Sequence, residues 1–257
     1  MKKFLVACIL GCLSVSAFAV DLPGQGFGIQ IGWAAPTLRL NSPRNPSNAK
    51  DSLSNNLRMK GFKLGVMYDA SYIAGFGSTI GVNYTFGVYN SGWEQIYPNN
   101  DLLYDRMLVT YHQIEMYVDW QYKFEIAKET YLMLYTGPTI QCGLGLNMRI
   151  DKREENYITG ERTVTYGDEF SAYKVNADDT TPSEGGFIPA DNAIRRLNIT
   201  WGVGAGFQYK RYFLRGGYDF GLLNPYRNAD FVNGNHTRGR FDQWSIKIGV
   251  YLWYNND

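Results

Sequence analysis

The chain has 257 residues, with 25 Lys and Arg against 24 Asp and Glu, a formal net charge of +1. That balance excludes the strongly basic footprint of a nucleic-acid binder, and three cysteines are too few for a disulfide scaffold. No segment reaches the ~18 consecutive apolar residues of a membrane-spanning helix, so a membrane crossing, if there is one, has to be made by strands.

Residues 1–19 open with Lys2 and Lys3, continue with an apolar run from Phe4 to Leu13 and close on Ala17-Phe18-Ala19. A positive start, an apolar core and an A-x-A end form the pattern of a secretory signal peptide. The mature chain is then expected to start at Val20 and to form one domain over 20–257. Ile9-Leu10-Gly11-Cys12 only faintly resembles a lipidation box, because little apolar core precedes it. Loss of the leader removes Lys2 and Lys3, which leaves a slight acidic excess, and it removes Cys8 and Cys12. Cys142 then stands alone and no intramolecular disulfide can form.

From Phe27 the apolar pattern has a period of two, the signature of strands with one apolar face. In the first, Phe27, Ile29, Ile31 and Trp33 alternate with Gly28, Gln30, Gly32 and Ala34. Pro36 cannot donate to a ladder, so pairing is expected to be disturbed there. A polar loop over 41–59 leads to the second strand, 60–72, where Phe62, Leu64, Val66 and Tyr68 alternate with Lys63, Gly65, Met67 and Asp69. A tight turn at Ala74-Gly75-Phe76-Gly77 enters the third, where Ile80, Val82, Tyr84 and Phe86 oppose Gly81, Asn83, Thr85 and Gly87.

After a polar loop over 90–107, the fourth strand (108–124) sets Ile114, Met116, Val118 and Trp120 against Gln113, Glu115, Tyr117, Asp119, Gln121 and Lys123. A short turn at Ala127-Lys128-Glu129 gives the fifth, 131–150. Leu132, Leu134, Ile140, Cys142, Leu144, Leu146 and Met148 share one parity and are read as its outer face. Pro138 requires a bulge or a missing ladder bond.

The longest polar stretch, 151–195, separates this strand from the sixth, 196–210. There Leu197, Ile199, Trp201, Val203, Ala205 and Phe207 alternate with Asn198, Thr200 and three glycines. A turn at Lys210-Arg211 enters the seventh, with Tyr212, Leu214, Tyr218 and Phe220 outward and Arg215, Gly217 and Asp219 inward. A loop over 224–240 precedes the eighth, where Trp244, Ile246, Ile248, Val250, Leu252 and Tyr254 are of one parity. This last alternation holds for about 14 residues, more than the ~5–6 of a globular strand and enough for the ~9–11 of a tilted bilayer crossing.

The connections alternate long and short over the whole chain. An even-stranded antiparallel up-and-down transmembrane β-barrel with periplasmic termini needs that order, because its periplasmic turns are short. Aromatic residues fit two girdles: Tyr72, Trp120, Tyr122, Phe124, Tyr209, Tyr212 and Tyr254 beside the short turns, and Phe86, Trp201, Phe220 and Trp244 toward the loops. A packed soluble core does not account for their clustering near strand ends. The fold class is therefore all-β, with eight strands.

Lys247-x-Gly249-x-x-Leu252-x-Tyr254 resembles the C-terminal assembly signal of bacterial outer-membrane barrels, although Asn255-Asn256-Asp257 follows it. With this signal, the mature chain is similar to the small eight-stranded outer-membrane barrels typified by the OmpA transmembrane domain and OmpX. Its Tyr- and Asn-rich strands also resemble the PorT-like barrels of Bacteroidetes. The resemblance implies a Gram-negative outer-membrane location, a narrow lumen, outer-membrane lipid around the barrel and recognition by the barrel-assembly machinery during insertion. It implies no single activity.

The inward parity gathers Lys63, Asp69, Glu115, Asp119, Arg215, Asp219 and Lys247 into a lumen that side chains can fill. Isolated charges there are costly, so a network of ion pairs that plugs the barrel is expected. Lys247 is expected to reach across the lumen to Glu115 or Asp219, in preference to Asp119. Cys142 reads as a small lipid-facing residue. Hydrolysis would want a Ser near a His and a carboxylate. His112 has outward parity, His236 lies in a loop and Ser245 has no histidine in register, so no catalytic, cofactor or metal residue is assigned. Gly202-x-Gly204-x-Gly206 precedes a strand and is no dinucleotide fingerprint. The acidic pairs Asp168-Glu169 and Asp178-Asp179 read as solvated.

The expected role is a monomer acting in envelope structure or in surface interaction with a protein partner through its outer loops. The alternatives are an accessory barrel of a secretion or transport assembly, a small-solute channel and a lipid-modifying enzyme.

Overall fold

A strand that is apolar on one face and polar on the other cannot lie in water or in lipid with both faces satisfied. Closing such strands into a ring, polar side inward, satisfies both faces and leaves no edge. The computed structural model has this form. It describes residues 24–41, 56–73, 75–95, 103–156, 158–173, 194–225 and 238–255. The leader expected over 1–19 and most of the loop residues lie outside the described residues.

The described strands are β1 (Gln25–Asn41), β2 (Asn56–Arg58), β3 (Lys60–Ile73), β4 (Phe76–Asn90), β5 (Glu94–Gln95), β6 (Leu103–Ala127), β7 (Thr130–Glu155), β8 (Arg162–Thr165), β9 (Phe170–Ser171), β10 (Leu197–Tyr209), β11 (Tyr212–Gly221) and β12 (Arg238–Asn255). Eight of them form a closed antiparallel ring, β1–β3–β4–β6–β7–β10–β11–β12, and β12 pairs back along the whole of β1. These eight are the strands expected from the alternation. The four short strands β2, β5, β8 and β9 attach to β1, β6 and β7 at the loop end.

The outward set forms an apolar belt: Ile31 is 57% exposed, Ile246 55% and Val203 43%, whereas the inward Lys63 and Arg215 are 2% and 1% exposed. With this outer surface the chain is a transmembrane β-barrel in the physical sense: backbone groups are paired around the ring, the exterior is apolar and the interior polar. Three tight turns close one end. Gly75, Glu129 and Lys210 take left-handed φ angles of 85°, 58° and 54° to make them. The Lys210 amide donates to Glu129 O (2.9 Å) and the Tyr251 amide to Arg211 O (2.8 Å), which ties the turns to the last strand.

The structure corrects several local expectations. Pro36 does not disturb the β1–β12 ladder, where it sits in register with Gln243. On its other side the β1–β3 pairing has ended and β2 begins at Arg58, and the Met59 amide donates to Pro36 O (2.9 Å). The missing N–H thus falls at a break between two partner strands. Pro138, in contrast, takes one of its two expected forms, a gap in the ladder without a bulge: pairing of β6 with β7 skips from Tyr117–Thr139 to Trp120–Thr136 in constant register.

A bulge does occur further along β7. Gln113 pairs with Gly143 but His112 with Gly145, so Leu144 is the extra residue and the parity flips after it. Leu144 stays outward at 48% exposure, but Leu146 and Met148, expected on the outer face, turn inward and are 0% and 1% exposed. A second bulge at Leu252 sets Phe27 against Trp253 and Gly28 against Tyr251. Trp253 therefore takes the outward place, and Tyr254, expected in the girdle, turns in to stack on Tyr251 at 4.9 Å.

Candidate functional site

The lumen is filled in tiers, each built from inward positions on several strands. At the loop end Leu38, Leu57, Met59, Met107, Val109, Tyr111, Leu146, Met148 and Phe241 form one buried apolar cluster. The chain beyond β9 contributes to it. Ala172 donates its amide to Leu146 O (2.8 Å), the Ile194 amide donates to Ala172 O (3.1 Å), and both side chains are buried in the cluster. An apolar stopper, partly supplied by residues flanking the long loop, thus sits at the loop end of the lumen. Sequence reasoning missed it in part because the bulge at Leu144 hides Leu146 and Met148 behind the wrong parity.

The middle tier is polar. Glu115 receives Lys63 Nζ at 2.6 Å, Thr85 Oγ1 at 3.0 Å and Gln243 Nε2 at 2.8 Å, and Gln113 also donates to it. Asp119 pairs with Arg215 at 2.7 Å, and the guanidinium lies over the Tyr135 ring at 4.1 Å. Gln30 Nε2 donates to Asn83 Oδ1 (2.6 Å) and to Tyr117 Oη (3.0 Å). Nearer the turns, Asp69 accepts from Lys123 Nζ and Tyr251 Oη, both at 2.6 Å. A second apolar cluster of Met67, Tyr117, Met133, Phe213 and Tyr251, with Tyr254 against it, closes the turn end.

The sequence-derived lumenal residues thus sort into two groups. Lys63 with Glu115, Arg215 with Asp119, and Asp69 close ion pairs. Lys123, whose inward parity with Asp119 and Gln121 was legible, supplies the partner of Asp69. Lys247 does not pair with Glu115, which Lys63 occupies. It lies over the Tyr117 ring at 5.0 Å and, with Asp219, lines a cavity of about 20 Å³. Among the described residues neither Lys247 nor Asp219 closes an ion pair. Of the residues matching the assembly signal, Gly249 faces inward beneath the Phe213 ring, Leu252 is the bulged residue and Tyr254 is turned in.

The inward glycines are seats for aromatic rings. A Cβ on Gly81 would run into Tyr117, one on Gly204 into Tyr135 and one on Gly249 into Phe213. This makes the lumen narrow by construction.

The groups weighed for catalysis are dispersed. His112 points to the lipid side, where it shares a 2.6 Å hydrogen bond with Tyr84 Oη and packs on Phe86 at 4.9 Å. Ser245 lines the small cavity with Lys247, in a space that admits about one water and no larger substrate. His236 lies outside the described residues, as do Asp178 and Asp179.

Beyond the barrel mouth β6 and β7 remain paired as far as Leu103–Glu154, and β8 and β9 fold back on β7. Arg162–Thr165 extends this hairpin by pairing with Lys152 to Glu155. Arg106 lies 4.6 Å over the Trp93 ring and Arg153 5.0 Å from its centre, with Arg153 also 4.3 Å over Tyr104. Asp151, fully buried, joins Arg106 (2.6 Å) and Arg149 (2.9 Å). Apolar residues are displayed on this projection: Ile158 is 91% exposed and Tyr166 67%.

No family model and no curated protein matches the chain. Among solved structures it is similar to the attachment invasion locus protein Ail of Yersinia pestis, crystallised with the heparin analogue sucrose octasulfate (11% identity, TM-score 0.39, covering 89% of this chain and 99% of that one). It is similar also to Neisserial surface protein A (12%, TM-score 0.38, 90% and 100%) and to the outer membrane enzyme PagL (10%, TM-score 0.39, 86% and 99%).

Proposed function

We propose that the protein is an outer-membrane barrel that does not conduct and that works by holding a stiff β-projection above the bilayer for interaction with a partner at the cell surface. The observation that carries the reading is the exposed apolar pair Ile158 and Tyr166 on a paired extension that stands clear of the lipid belt. Large apolar side chains exposed to water there mark a contact surface. β7 has 26 residues, against the ~9–11 that a bilayer crossing uses, so more than half of it lies outside the membrane. The Arg–Trp–Tyr stacks and the buried Asp151 hold this part in one conformation, which lowers the ordering cost of binding.

The tiers in the lumen support the first half of the reading. Among the described residues, apolar clusters at both ends bracket the charged middle, which supports a lumen closed to water. A photo-crosslinker at 158 or 166 in cells is expected to capture surface material, whereas one at 211, on the turn end, is not. Capture from 211 alone would instead support an accessory role in a periplasmic assembly and contradict this reading.

A further inference from the structure

On the lipid face the seam between the last and first strands changes character at the loop end. Trp33 and Trp244 (45% and 57% exposed) mark the upper edge of the apolar belt there. Two residues further along β12 is Asp242, whose place in the alternation is outward, yet its surface is fully covered. The cover is polar. Arg39 Nε and Arg240 Nε lie 2.8 Å from its carboxylate, Tyr218 Oη donates at 2.8 Å and the Gly221 amide at 3.0 Å.

Arg39 and Arg240 are direct cross-strand partners. Like charges placed so repel, and one carboxylate between them offsets only one charge. Arg58, exposed on β2, is paired with Thr37 and so stands diagonally next to Arg39. Two guanidinium groups thus meet one carboxylate and a third, Arg58, stands beside them on the adjacent strand, so these described residues carry an excess of two positive charges. Arg39 and Arg240 engage Asp242 through Nε and keep 45% of their side chains exposed. Arg39 Nη2 also donates to Tyr218 Oη (3.1 Å), so the remaining terminal nitrogen of Arg39 and the two of Arg240 are the donors turned to the outside.

We propose that this arginine seam binds the phosphate of a lipid headgroup in the outer leaflet. Guanidinium forks match phosphate oxygens in bidentate fashion. The position directly above Trp33 and Trp244 favours a ligand whose anionic group stands on acyl chains. Asp242 acts as the positioning residue that holds two of the three forks at one height. The inference rests on the reading of the chain as an outer-membrane barrel but not on its surface partner.

The test uses the full chain refolded in detergent, with insertion of each variant into bilayers checked separately by resistance to unheated electrophoresis, so that failure of the barrel reading shows by itself. Thermal unfolding is then followed with bisphosphorylated lipid A, with the same glycolipid dephosphorylated and with inorganic phosphate. Only the first is expected to raise the midpoint. Arg58→Gln should weaken its apparent affinity about tenfold, the equivalent of one charge-assisted contact. Arg211→Gln, at the other end of the barrel, should leave it unchanged. An equal rise with dephosphorylated glycolipid, a rise with inorganic phosphate alone, or full affinity in Arg58→Gln would overturn the proposal.

Discussion

At the scale of single residues, Glu115 shows what a narrow lumen demands of a charge. It is 1% exposed and is met by one cation and several neutral donors, so both carboxylate oxygens are occupied. Lys63→Met would leave that carboxylate buried without its cation, at a cost of about 3–5 kcal/mol. Lys247→Met should cost less, since Lys247 closes no direct pair. Urea unfolding of both variants in lipid vesicles checks the order, and a larger loss for Lys247→Met would contradict it. The sequence made the inward set legible by parity alone. The pairing was not legible, because which cation reaches which carboxylate depends on strand tilt and on depth across the ring.

Val203 and Gly204 separate the two faces in the same way. Val203 lies in the apolar belt, and Val203→Arg is expected to cost about 2–4 kcal/mol near the bilayer midplane. From the alternation, Gly204→Ser reads as the milder change for insertion. The structure adds a separate cost inside the lumen, because a side chain at 204 has to displace the Tyr135 ring and crowd Gly216 O. Gly204→Ser should therefore slow folding into bilayers by disturbing the lumen, whereas Val203→Arg should act through insertion. Gly204→Ser folding at the wild-type rate would refute the account of the glycines as ring seats.

At the scale of elements, the limits of sequence reading are the two bulges. The period of two is read well as long as nothing interrupts it, and β10 and β11 match their expected faces throughout. Leu144 and Leu252 each insert one residue, and every side chain beyond them changes face. Nothing in the residues 143–146 or 251–254 announces this. The β7 share of the loop-end stopper, Leu146 and Met148, and the inward turn of Tyr254 were hidden for that reason.

The projection made by β6, β7 and β8 has its own pH signature. Burial by itself would push the Asp151 carboxyl upward, but the hydrogen bonds and charges of Arg106 and Arg149 outweigh it and hold the group below the usual carboxylate range. A lowered folded value means that the stabilisation is fully present above the unfolded value of about 3.9 and fades only as the pH falls through the folded one. Amide exchange over 151–155 should thus stay slow from neutral to mildly acidic pH and quicken only in strong acid. Loosening between pH 7 and 5 would contradict the assignment.

At the scale of the whole molecule, the rhythm of long and short connections placed all eight ring strands and predicted which end carries the tight turns. It rests on chain length and turn chemistry, which are local, and so was readable without contacts. The same rhythm predicts orientation. Protease on intact cells should cut within 151–195 and spare the turns at 128–129 and 210–211; cleavage confined to those turns would invert the topology.

The central claim is that the barrel is closed by its own side chains: an apolar stopper at the mouth, ion pairs in the middle and aromatic rings at the turns. The most direct measurement is the single-channel conductance of the purified full-length protein in a planar bilayer. The account predicts no steady ohmic current across the working voltage range in the wild-type protein. A stable open-state conductance in the wild type, unchanged when Phe241 or Met148 is truncated to Ala, would show that the lumen is a wet pore and that the stopper does not seal it.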